Sequence, residues 1–275
     1  MILSGKQVAE TVFAETRDIV SGLPVRPGLA VVLVGDDPAS HLYVGIKERR
    51  AAELGFVFRR EELSAEATDD EIISVIDRLN DDPGTHGIIV QLPLPAGHDA
   101  DRVVAAIDPS KDADGFHPET VARFLAGERG SVPVFPAAIM ALAKSSGVPL
   151  SGKRGIVVVN SERFGDVMKR ALGNEGVEAS VILSSDIDPR KDEIATADVV
   201  VTAIGQAERF PRNLFGGGAI VVDGGIAERD GEVLGDIAKD SDGSHIFLSP
   251  VPGGVGPVTV ACLLRRTAQL ASSRI

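Results

Sequence analysis

The sequence predicts an α/β protein of two domains, and three observations lead to that conclusion. Helical and strand-like segments alternate from end to end, which is the pattern of α/β folds. The strand-like segments are continuous runs of aliphatic and β-branched residues, typical of parallel strands that are buried on both faces. The length of 275 residues is ample for two domains, and two prolines between residues 132 and 136 mark the predicted seam.

A first series of helices and strands fills the N-terminal half of the chain. Ser40 is the predicted N-cap of its second helix, and Gly55 ends that helix because glycine readily adopts the conformation that follows a helix C-terminus. The predicted elements are a helix over 5–21, a strand over 29–34, a helix over 40–54, a helix near 68–80 and a strand over 87–91.

A second series is typical of a small Rossmann-like domain, because four apolar strands are separated by short helices. A last apolar-periodic stretch, residues 258–271, predicts a C-terminal helix. The predicted strands of this series lie over 155–159, 179–183, 198–203 and 219–223.

The charge balance and the cysteine content exclude several classes of protein. The formal net charge of −12 argues against a sequence-independent nucleic-acid binder, which needs a dominant basic surface. Cys262 is the single cysteine, so no disulfide framework, no cysteine-based zinc site and no other metal site is predicted. No apolar run approaches the length of a membrane span, and the first residues lack the apolar region of a signal peptide. We therefore expect a cytoplasmic protein with no nucleic-acid or membrane partner.

Lys47 stands out as a candidate for proton transfer, and Gln91 stands out as a candidate for ligand binding. Tyr43 and Lys47 are four residues apart and share one face of a helix, and an amine transfers protons near neutral pH when burial lowers its pKa. Gln91 ends an apolar strand and is followed at once by Pro93 and Pro95, so it lies where open α/β sheets bind ligands. Taken alone, Lys47 also fits a solvated helix lysine, and Gln91 also fits a strand-end residue bonded to nearby backbone.

Two further segments suit either a ligand or a plain loop. The run from Asp112 to Gly115 has good turn chemistry, yet the carboxylate of Asp114 also matches an adjacent pair of N–H donors. The segment Pro252–Gly256 offers backbone amides without bulk, which suits close approach to a ligand as well as a rigid loop.

Four short runs together closely resemble the bifunctional methylenetetrahydrofolate dehydrogenase/methenyltetrahydrofolate cyclohydrolase family. The resemblance extends from about residue 2 to about residue 270. It implies oxidation of 5,10-methylenetetrahydrofolate with a nicotinamide cofactor, followed by hydrolysis of the methenyl product to 10-formyltetrahydrofolate. The runs that carry it are Tyr43–Lys47, Val90–Pro95, Lys111–Phe116 and Pro250–Pro257.

The resemblance implies which residues serve the folate. In the family, the lysine and glutamine that match Lys47 and Gln91 face each other, and the lysine drives the hydrolytic step. Tyr43 is then expected to place its ring against the folate, and Asp114 to accept hydrogen bonds from the pterin edge, which makes these four the expected catalytic residues. The expected substrate-binding residues are Tyr43, Val44, Gly45, Ile46, Lys47, Val90, Gln91, Leu92, Asp114, Pro252, Gly253, Gly254, Val255 and Gly256.

The nucleotide side departs from the family pattern. Family members usually carry Gly-Arg-Ser after the first strand of the second domain, where the Arg and Ser meet the 2′-phosphate of NADP, whereas this chain has Asn160-Ser161-Glu162. Asp186 ends the next strand, where a carboxylate typically binds the ribose of NAD and repels a 2′-phosphate. The resemblance therefore implies NADP, while these residues favour NAD. The expected cofactor-binding residues are Asn160, Ser161, Arg163, Gly165, Ser185, Asp186 and Ile226.

The resemblance also implies a domain plan and an assembly. Residues 1–134 are expected to form an α/β folate-binding catalytic domain, completed by a C-terminal helix within 255–275. Residues 135–254 are expected to form the Rossmann-like domain, with a cleft between the two. A small-molecule folate is the expected substrate, and a homodimer is the expected assembly.

Three alternatives stay open at this point. One is a cyclohydrolase whose dehydrogenase step is weakened or lost. A second is a non-catalytic folate-binding or interaction relative, which the pair Lys47 and Gln91 disfavours because a binder does not need it. The third is an unrelated two-domain dehydrogenase of the shikimate type, which does not explain the Val90–Pro93 run or the Pro-Gly-Gly-Val-Gly segment.

Overall fold

The computed structural model describes residues 1–128, 132–239 and 245–274, and the chain divides into two compact α/β units. The first, the Lys47 unit, comprises Thr11–Val134 and Val260–Ile275, and the second, the Rossmann-like unit, comprises Met1–Glu10 and Phe135–Thr259. Each contains a parallel sheet, so the predicted two-domain α/β class is confirmed. Among the described residues, no helix is long and apolar enough to cross a bilayer.

Every helix and strand that was given a predicted range is present in the predicted order, together with several elements, such as those at Val57–Leu63 and Pro118–Leu125, that were not predicted. The helices are α1 (Gly5–Ser21), α2 (Pro38–Glu53), α3 (Asp69–Asp81), α4 (Ala100–Val104), α5 (Pro118–Leu125), α6 (Val134–Ser145), α7 (Glu162–Gly173), α8 (Lys191–Ala195) and α9 (Val255–Ser272). The strands are β1 (Gly28–Val34), β2 (Val57–Leu63), β3 (Gly87–Val90), β4 (Arg154–Val159), β5 (Glu178–Leu183), β6 (Val199–Ala203), β7 (Ile220–Asp223), β8 (Ala227–Arg229), β9 (Glu232–Leu234) and β10 (Phe247–Leu248). Short 3₁₀ turns lie at Pro109–Lys111, Ser184–Asp186 and Arg212–Leu214.

The Lys47 unit is built on a three-stranded parallel sheet in the order β2-β1-β3. Strand β1 is central and buried along its whole length, which explains its uninterrupted apolar sequence. One face of this sheet packs against the apolar stripe of α3, where Ile72 and Ile76 are fully buried. The carboxyl ends of β1 and β3 therefore meet at one edge of a rigid sheet.

The start of α2 differs from the prediction. Asp37, not Ser40, is the N-cap, because its carboxylate accepts a hydrogen bond from the Ser40 backbone amide at 2.8 Å. Pro38 occupies the first helical turn, where the missing N–H has no cost. The predicted end is confirmed, since Leu54 is the C-cap and Gly55 follows it with a φ of 79°.

Both ends of α3 are closed by side chains. Thr68 and Glu71 form a reciprocal capping box at the N-terminus. At the other end, the buried ammonium of Lys111 donates hydrogen bonds to the carbonyl oxygens of Leu79, Asn80 and Asp82 at 3.0, 2.5 and 2.8 Å. Lys111 thus satisfies the carbonyls that the helix itself leaves without partners.

The Rossmann-like unit contains a five-stranded parallel sheet in the order β10-β7-β6-β4-β5. The four strands predicted for this domain are confirmed as β4, β5, β6 and β7. The sequence analysis did not predict β10, which has only two residues, or the antiparallel hairpin of β8 and β9. Strand β4 lies between β5 and β6, as the nucleotide-binding strand of such sheets does.

The chain passes between the units at three points, between residues 10 and 11, 134 and 135, and 259 and 260. The first residues lie in the Rossmann-like unit because the amides of Leu3 and Gly5 donate hydrogen bonds to the carbonyls of Leu248 and Gly253. The expected plan joined residues 1–134 with residues 255–275. The observed division differs from it at two places, at the N-terminus and within α9. At the predicted seam, α6 begins at Val134 and takes Pro136 into its first turn.

Candidate active site

Gln91 stands at the carboxyl end of β3, and the backbone of the next residue fixes its side chain. The Gln91 amide donates to the carbonyl of Val32 at 2.8 Å, which extends the sheet by one residue. Its Nε2 donates to the carbonyl of Leu92 at 2.7 Å, which leaves Oε1 as the free acceptor end. A cis peptide bond joins Leu92 to Pro93 immediately afterwards. The amide oxygen is therefore held in one direction.

Lys47 lies in α2 and meets that oxygen. Its Nζ donates to Gln91 Oε1 at 2.6 Å. Burial lowers the pKa of the Lys47 ammonium, and the carboxylate of Asp114 opposes that shift. Tyr43, half-buried, lies one turn earlier on the same helix. The predicted pairing of Lys47 with Gln91 is present, and a solvated helix lysine does not describe this environment.

Asp114 reaches the same edge of the sheet by an additional strand-like contact. Asp112 forms a parallel bridge with Ile88, and the amide of Ala113 donates to the Ile88 carbonyl at 3.2 Å. Because this pairing is parallel, Asp114 comes level with the end of β3. Burial raises the pKa of the Asp114 carboxyl to about 6; the charge of Lys47 and, more weakly, that of Arg266 oppose the shift.

The turn that carries Asp114 is held by buried polar groups. The Asp112 carboxylate, 1% exposed, accepts hydrogen bonds from the amides of Gly115 and His117 at 2.8 and 3.0 Å. Arg266, from α9, donates to the carbonyls of Asp112 and Val132 at 3.0 and 2.9 Å. Sequence reasoning missed Arg266; the available signal was a guanidinium within an apolar C-terminal helix.

An amine, an amide oxygen and a carboxylate thus converge at the end of one parallel sheet. The amine has a lowered pKa and the carboxyl has a raised pKa, so both lie nearer neutrality than their ordinary values. Such a set is suited to moving a proton on a bound substrate.

The segment Pro252–Gly256 belongs to the other compact unit. It follows a cis bond between Val251 and Pro252 and contains Gly253 at a φ of 100°. A Cβ on Gly254 would lie 2.4 Å from the carbonyl oxygen of Pro250, so only glycine fits there. Gly256 lies in the first turn of α9, and its surroundings leave room for a side chain.

The turn from β4 into α7 fits a dinucleotide. Helix α7 begins directly at the carboxyl end of β4, and such helix N-termini present N–H groups to phosphates. Ser161 is its N-cap, and Asn160 Nδ2 donates to the Ile204 carbonyl at 3.0 Å. Gly165 is buried, and a Cβ there would lie 2.5 Å from Val181 Cγ1. Gly165 therefore allows close packing of α7 on the sheet, as the third glycine of a dinucleotide fingerprint does.

A polar groove of about 420 Å³ runs beside α7 and β5. Ser185 and Asp186 lie in the 3₁₀ turn after β5, where the Ser185 hydroxyl donates to Asp186 Oδ1 at 3.1 Å. Arg190 is engaged by both carboxylate oxygens of Glu193 and by the carbonyl of Val181. The residues that line the groove are Glu162, Asp166, Lys169, Ser180, Val181, Leu183, Asp186 and Arg190.

Of the predicted cofactor residues, Asp186 alone lines that groove, and the other six lie outside its lining: Asn160, Ser161, Arg163, Gly165, Ser185 and Ile226. Arg163 is exposed in the first turn of α7, and Ile226 is 52% exposed in the loop after β7. In the described part of the chain, no group of three or more His, Cys, Asp or Glu residues has the arrangement of a metal site.

Comparison with known families assigns both halves of the chain. Residues 3–114 match the model of the tetrahydrofolate dehydrogenase/cyclohydrolase catalytic domain, and residues 133–275 match that of its NAD(P)-binding domain. The chain belongs to the tetrahydrofolate dehydrogenase/cyclohydrolase family. The predicted family is confirmed.

Similar proteins cover the chain from end to end. The bifunctional protein FolD of Acidiphilium cryptum is 41% identical over 275 residues, 99% of this chain and 98% of its own. The crystal structure of FolD from Campylobacter jejuni has a TM-score of 0.93 at 34% identity, and it covers 100% of this chain and 99% of its own. FolD of Trypanosoma brucei, solved with NADP cofactor and inhibitor, has a TM-score of 0.93 at 32% identity, with coverage of 100% and 98%. Methylenetetrahydrofolate dehydrogenase and methenyltetrahydrofolate cyclohydrolase are thus the activities of this family member, as predicted.

Proposed function

We propose that Lys47 and Gln91 carry out the hydrolytic chemistry of the tetrahydrofolate dehydrogenase/cyclohydrolase family in this chain, and that Asp114 positions the folate for it. The observation that supports this most directly is the 2.6 Å contact between Lys47 Nζ and Gln91 Oε1, at an amine whose pKa is lowered by burial. A lysine that only stabilised the fold would gain nothing from this desolvation. The arrangement instead keeps an amine ready to accept and return a proton.

In the hydrolytic step, the neutral Lys47 amine takes a proton from water while the water oxygen bonds to the methenyl carbon. The resulting ammonium then protonates N5 of the folate as the bond between that carbon and N5 breaks. The hydroxyl proton leaves to solvent as the formyl carbonyl forms, so one proton is released overall. Gln91 Oε1 orients the amine by accepting one of its N–H groups.

Asp114 and Tyr43 are proposed to position the folate. A carboxylate accepts two parallel hydrogen bonds from the amino-pyrimidine edge of a pterin, which an isolated turn residue would not need. The ring of Tyr43 offers a flat, partly apolar surface one turn from Lys47. The other proposed folate contacts are Val44, Gly45, Ile46, Val90, Leu92 and the segment Pro252–Gly256.

The dinucleotide is proposed to bind at the turn between β4 and α7. When bound, a nicotinamide cofactor accepts a hydride from the methylene carbon of the folate. Asn160, Ser161 and Arg163 would hold the phosphates of the cofactor. Ser185 and Asp186 would bind its adenosine ribose, and Ile226 would contact its nicotinamide half. Gly165 would serve by bringing α7 close to the sheet.

We further propose that this chain prefers NAD to NADP. Glu162, Asp166 and Asp186 contribute carboxylates to one groove, and these repel a 2′-phosphate. The guanidinium of Arg190 in that groove is already paired in a bidentate contact with Glu193. Asp186 can instead accept hydrogen bonds from both ribose hydroxyls of NAD.

An absorbance assay of methylenetetrahydrofolate oxidation tests this preference when NAD and NADP are titrated side by side. The wild type is expected to have the larger kcat/KM with NAD. Asp186→Ser is expected to shift the ratio toward NADP by about tenfold, the value of one charged contact. Asp188→Ser is the matched control, because Asp188 is an exposed carboxylate of the same loop that pairs with Arg209. A wild type that prefers NADP would overturn the assignment.

We also propose a cytoplasmic homodimer, which rests on the family resemblance. Light scattering coupled to size exclusion tests the assembly. A mass near twice 28.7 kDa is expected, and a mass of one chain would contradict it.

A further inference from the structure

Two buried carboxylates in the Rossmann-like unit have no part in the chemistry described so far. Asp223 is 2% exposed and Asp236 is 0% exposed. Burial raises the pKa of Asp223 to about 6 and also raises the pKa of Asp236, although backbone amides bind both. Burial penalises the ionised form of each carboxylate, and the hydrogen bonds that each accepts from backbone amides offset part of that cost. The two side chains therefore serve as acceptors for specific backbone groups.

Asp236 fixes the loop that follows β6. Its Oδ2 accepts a hydrogen bond from the Ile204 amide at 2.9 Å, and its Oδ1 accepts one from the Gln206 amide at 2.8 Å. Gly205, between them, has a φ of 66°. A Cβ on Gly205 would lie 3.2 Å from the carbonyl oxygen of Ile226, so this loop also contacts the loop after β7.

Asp223 fixes the loop that follows β7 and binds the backbone of Asp236 as well. Its Oδ1 accepts hydrogen bonds from the amides of Gly225 and Asp236 at 3.0 and 3.1 Å, and its Oδ2 accepts one from Ile237 at 2.9 Å. The two acids are therefore linked in series, from β7 through the Asp236 backbone to the loop after β6.

Two glycines make this arrangement fit. A Cβ on Gly225 would lie 2.2 Å from the Asp236 carboxyl carbon, and a Cβ on Gly235 would lie 2.1 Å from Asp223 Oδ2. Both are closer than any side chain tolerates, so each acid requires the glycine opposite it. The carboxylates and the glycines together form one interlocked unit.

Both loops lie at the carboxyl ends of adjacent parallel strands, where sheets of this type bind their ligands. The Ile204 carbonyl also accepts the hydrogen bond from Asn160, which ties this loop to the start of α7. We propose that Asp223 and Asp236 are positioning residues for the redox step, holding residues 204–206 and 224–226 in the form that receives the dinucleotide. This inference rests on the proposed cofactor site and goes beyond it.

Two variants test the inference by different routes. Asp236→Asn keeps the size of the side chain but turns one acceptor oxygen into a donor that faces a backbone amide. Gly225→Ala leaves the Asp236 side chain chemically unchanged, but its added methyl group displaces that carboxylate from its position. Each is expected to raise the KM for NAD and NADP in methylenetetrahydrofolate oxidation by about tenfold, and to leave hydrolysis of methenyltetrahydrofolate, which uses Lys47, unchanged.

Asp198→Asn is the matched control. Asp198 accepts a hydrogen bond from the Arg154 amide at 2.8 Å at the opposite, amino end of the same sheet. It is expected to lower the melting temperature without changing the cofactor KM. If the wild type oxidises the folate and Asp236→Asn leaves the cofactor KM unchanged, the inference is wrong while the redox function stands. Parallel loss of oxidation and hydrolysis would also overturn it, whereas a wild type inactive with both cofactors contradicts the proposed redox function itself.

Discussion

The amine of Lys47 is controlled by two neighbours with different effects. Gln91 accepts its hydrogen bond without a charge, so it orients the amine and leaves the proton affinity low. Asp114 contributes a charge that raises the pKa which burial lowers. The balance between burial and the charge of Asp114 sets how much neutral amine is present near pH 7.

Lys47→Ala is expected to reduce methenyltetrahydrofolate hydrolysis by at least about 100-fold, the usual contribution of a positioned acid or base. The melting curve is expected to stay unchanged, because the substitution removes a desolvated ammonium and little packing. The measurement is the rate at which 10-formyltetrahydrofolate forms from methenyltetrahydrofolate. Lys144→Ala, which removes an exposed lysine paired with Glu175, serves as the control. Hydrolysis at the wild-type rate in Lys47→Ala would refute the role.

Asp114→Asn is expected to weaken folate binding and to stabilise the fold. The amide offers one acceptor oxygen instead of two, so calorimetry should report a larger dissociation constant. The folded-state pKa of about 6 exceeds the ordinary 3.8, so the ionised carboxyl costs stability above pH 6. The variant should therefore gain about 1 kcal/mol at pH 7, since the side chain is half-buried.

That gain should disappear near pH 4, where Asp114 is protonated in the folded state of the wild type. Urea unfolding at both pH values measures it. If Asp114→Asn and the wild type have the same dissociation constant for folate, Asp114 serves only as a turn residue.

Sequence reasoning predicted the contact of Lys47 with Gln91 but did not predict what supports the site. Matching short runs identified the side chains that face the substrate. The sequence analysis did not predict roles for Arg266, Asp223 or Asp236, because those roles depend on burial and on partners far away in the chain. A charged residue in a sequence is ordinarily solvated, and only packing shows that it is not.

Among the elements, α3 depends on a side chain that lies 30 residues beyond its end. Lys111 is 3% exposed and donates to three carbonyl oxygens there. Lys111→Met would leave these carbonyls without donors and is expected to cost about 2 kcal/mol in the free energy of unfolding. Urea denaturation measures it, with the exposed Lys6→Met as control. A loss equal to that of the control would show that water replaces the ammonium.

The joint between β1 and β3 is sensitive to pH through His86. Its Nδ1 accepts a hydrogen bond from the Gly28 amide at 2.9 Å, which requires a neutral ring. Burial lowers the pKa of His86, and the charges of Arg274 and Lys111 lower it further. The unfolded chain therefore binds the proton more readily than the folded chain, so the contribution of His86 is complete above pH 6.5 and is lost as the pH falls below it.

His86→Asn supplies an acceptor oxygen that does not titrate. Its unfolding free energy is expected to fall less between pH 7 and pH 5 than that of the wild type. Chemical denaturation at the two pH values tests this, and parallel losses in both proteins would contradict the role of His86.

The elements with strong local signals were predictable, and those decided by tertiary contacts were not. The strands β1 and β4 are continuous apolar runs and needed no further information. Strand β2 contains Arg59, Arg60 and two glutamates, because an edge strand keeps one side in water. Asp37 displaced Ser40 as the N-cap because both residues are good caps, and sequence alone does not rank them.

At the scale of the molecule, neither unit is a continuous piece of chain. The Lys47 unit needs Val260–Ile275 as well as Thr11–Val134. Helix α9 supplies Arg266 to the turn that carries Asp114, and it buries Leu263, Leu264 and Ala268. We therefore expect the fragment 1–134 to remain unfolded by circular dichroism, while the full chain folds. A cooperative melting transition in that fragment would contradict this.

The late position of α9 in the chain has a consequence for biosynthesis. A ribosome releases residues in order, so α9 leaves the exit tunnel only after the other described elements have done so. The Rossmann-like unit has all its residues by position 259, whereas the Lys47 unit lacks Val260–Ile275 until those residues are synthesised. The unit that holds most of the first half of the chain is thus the unit completed last, and during synthesis the side chains that pack against α9 stay exposed until α9 emerges.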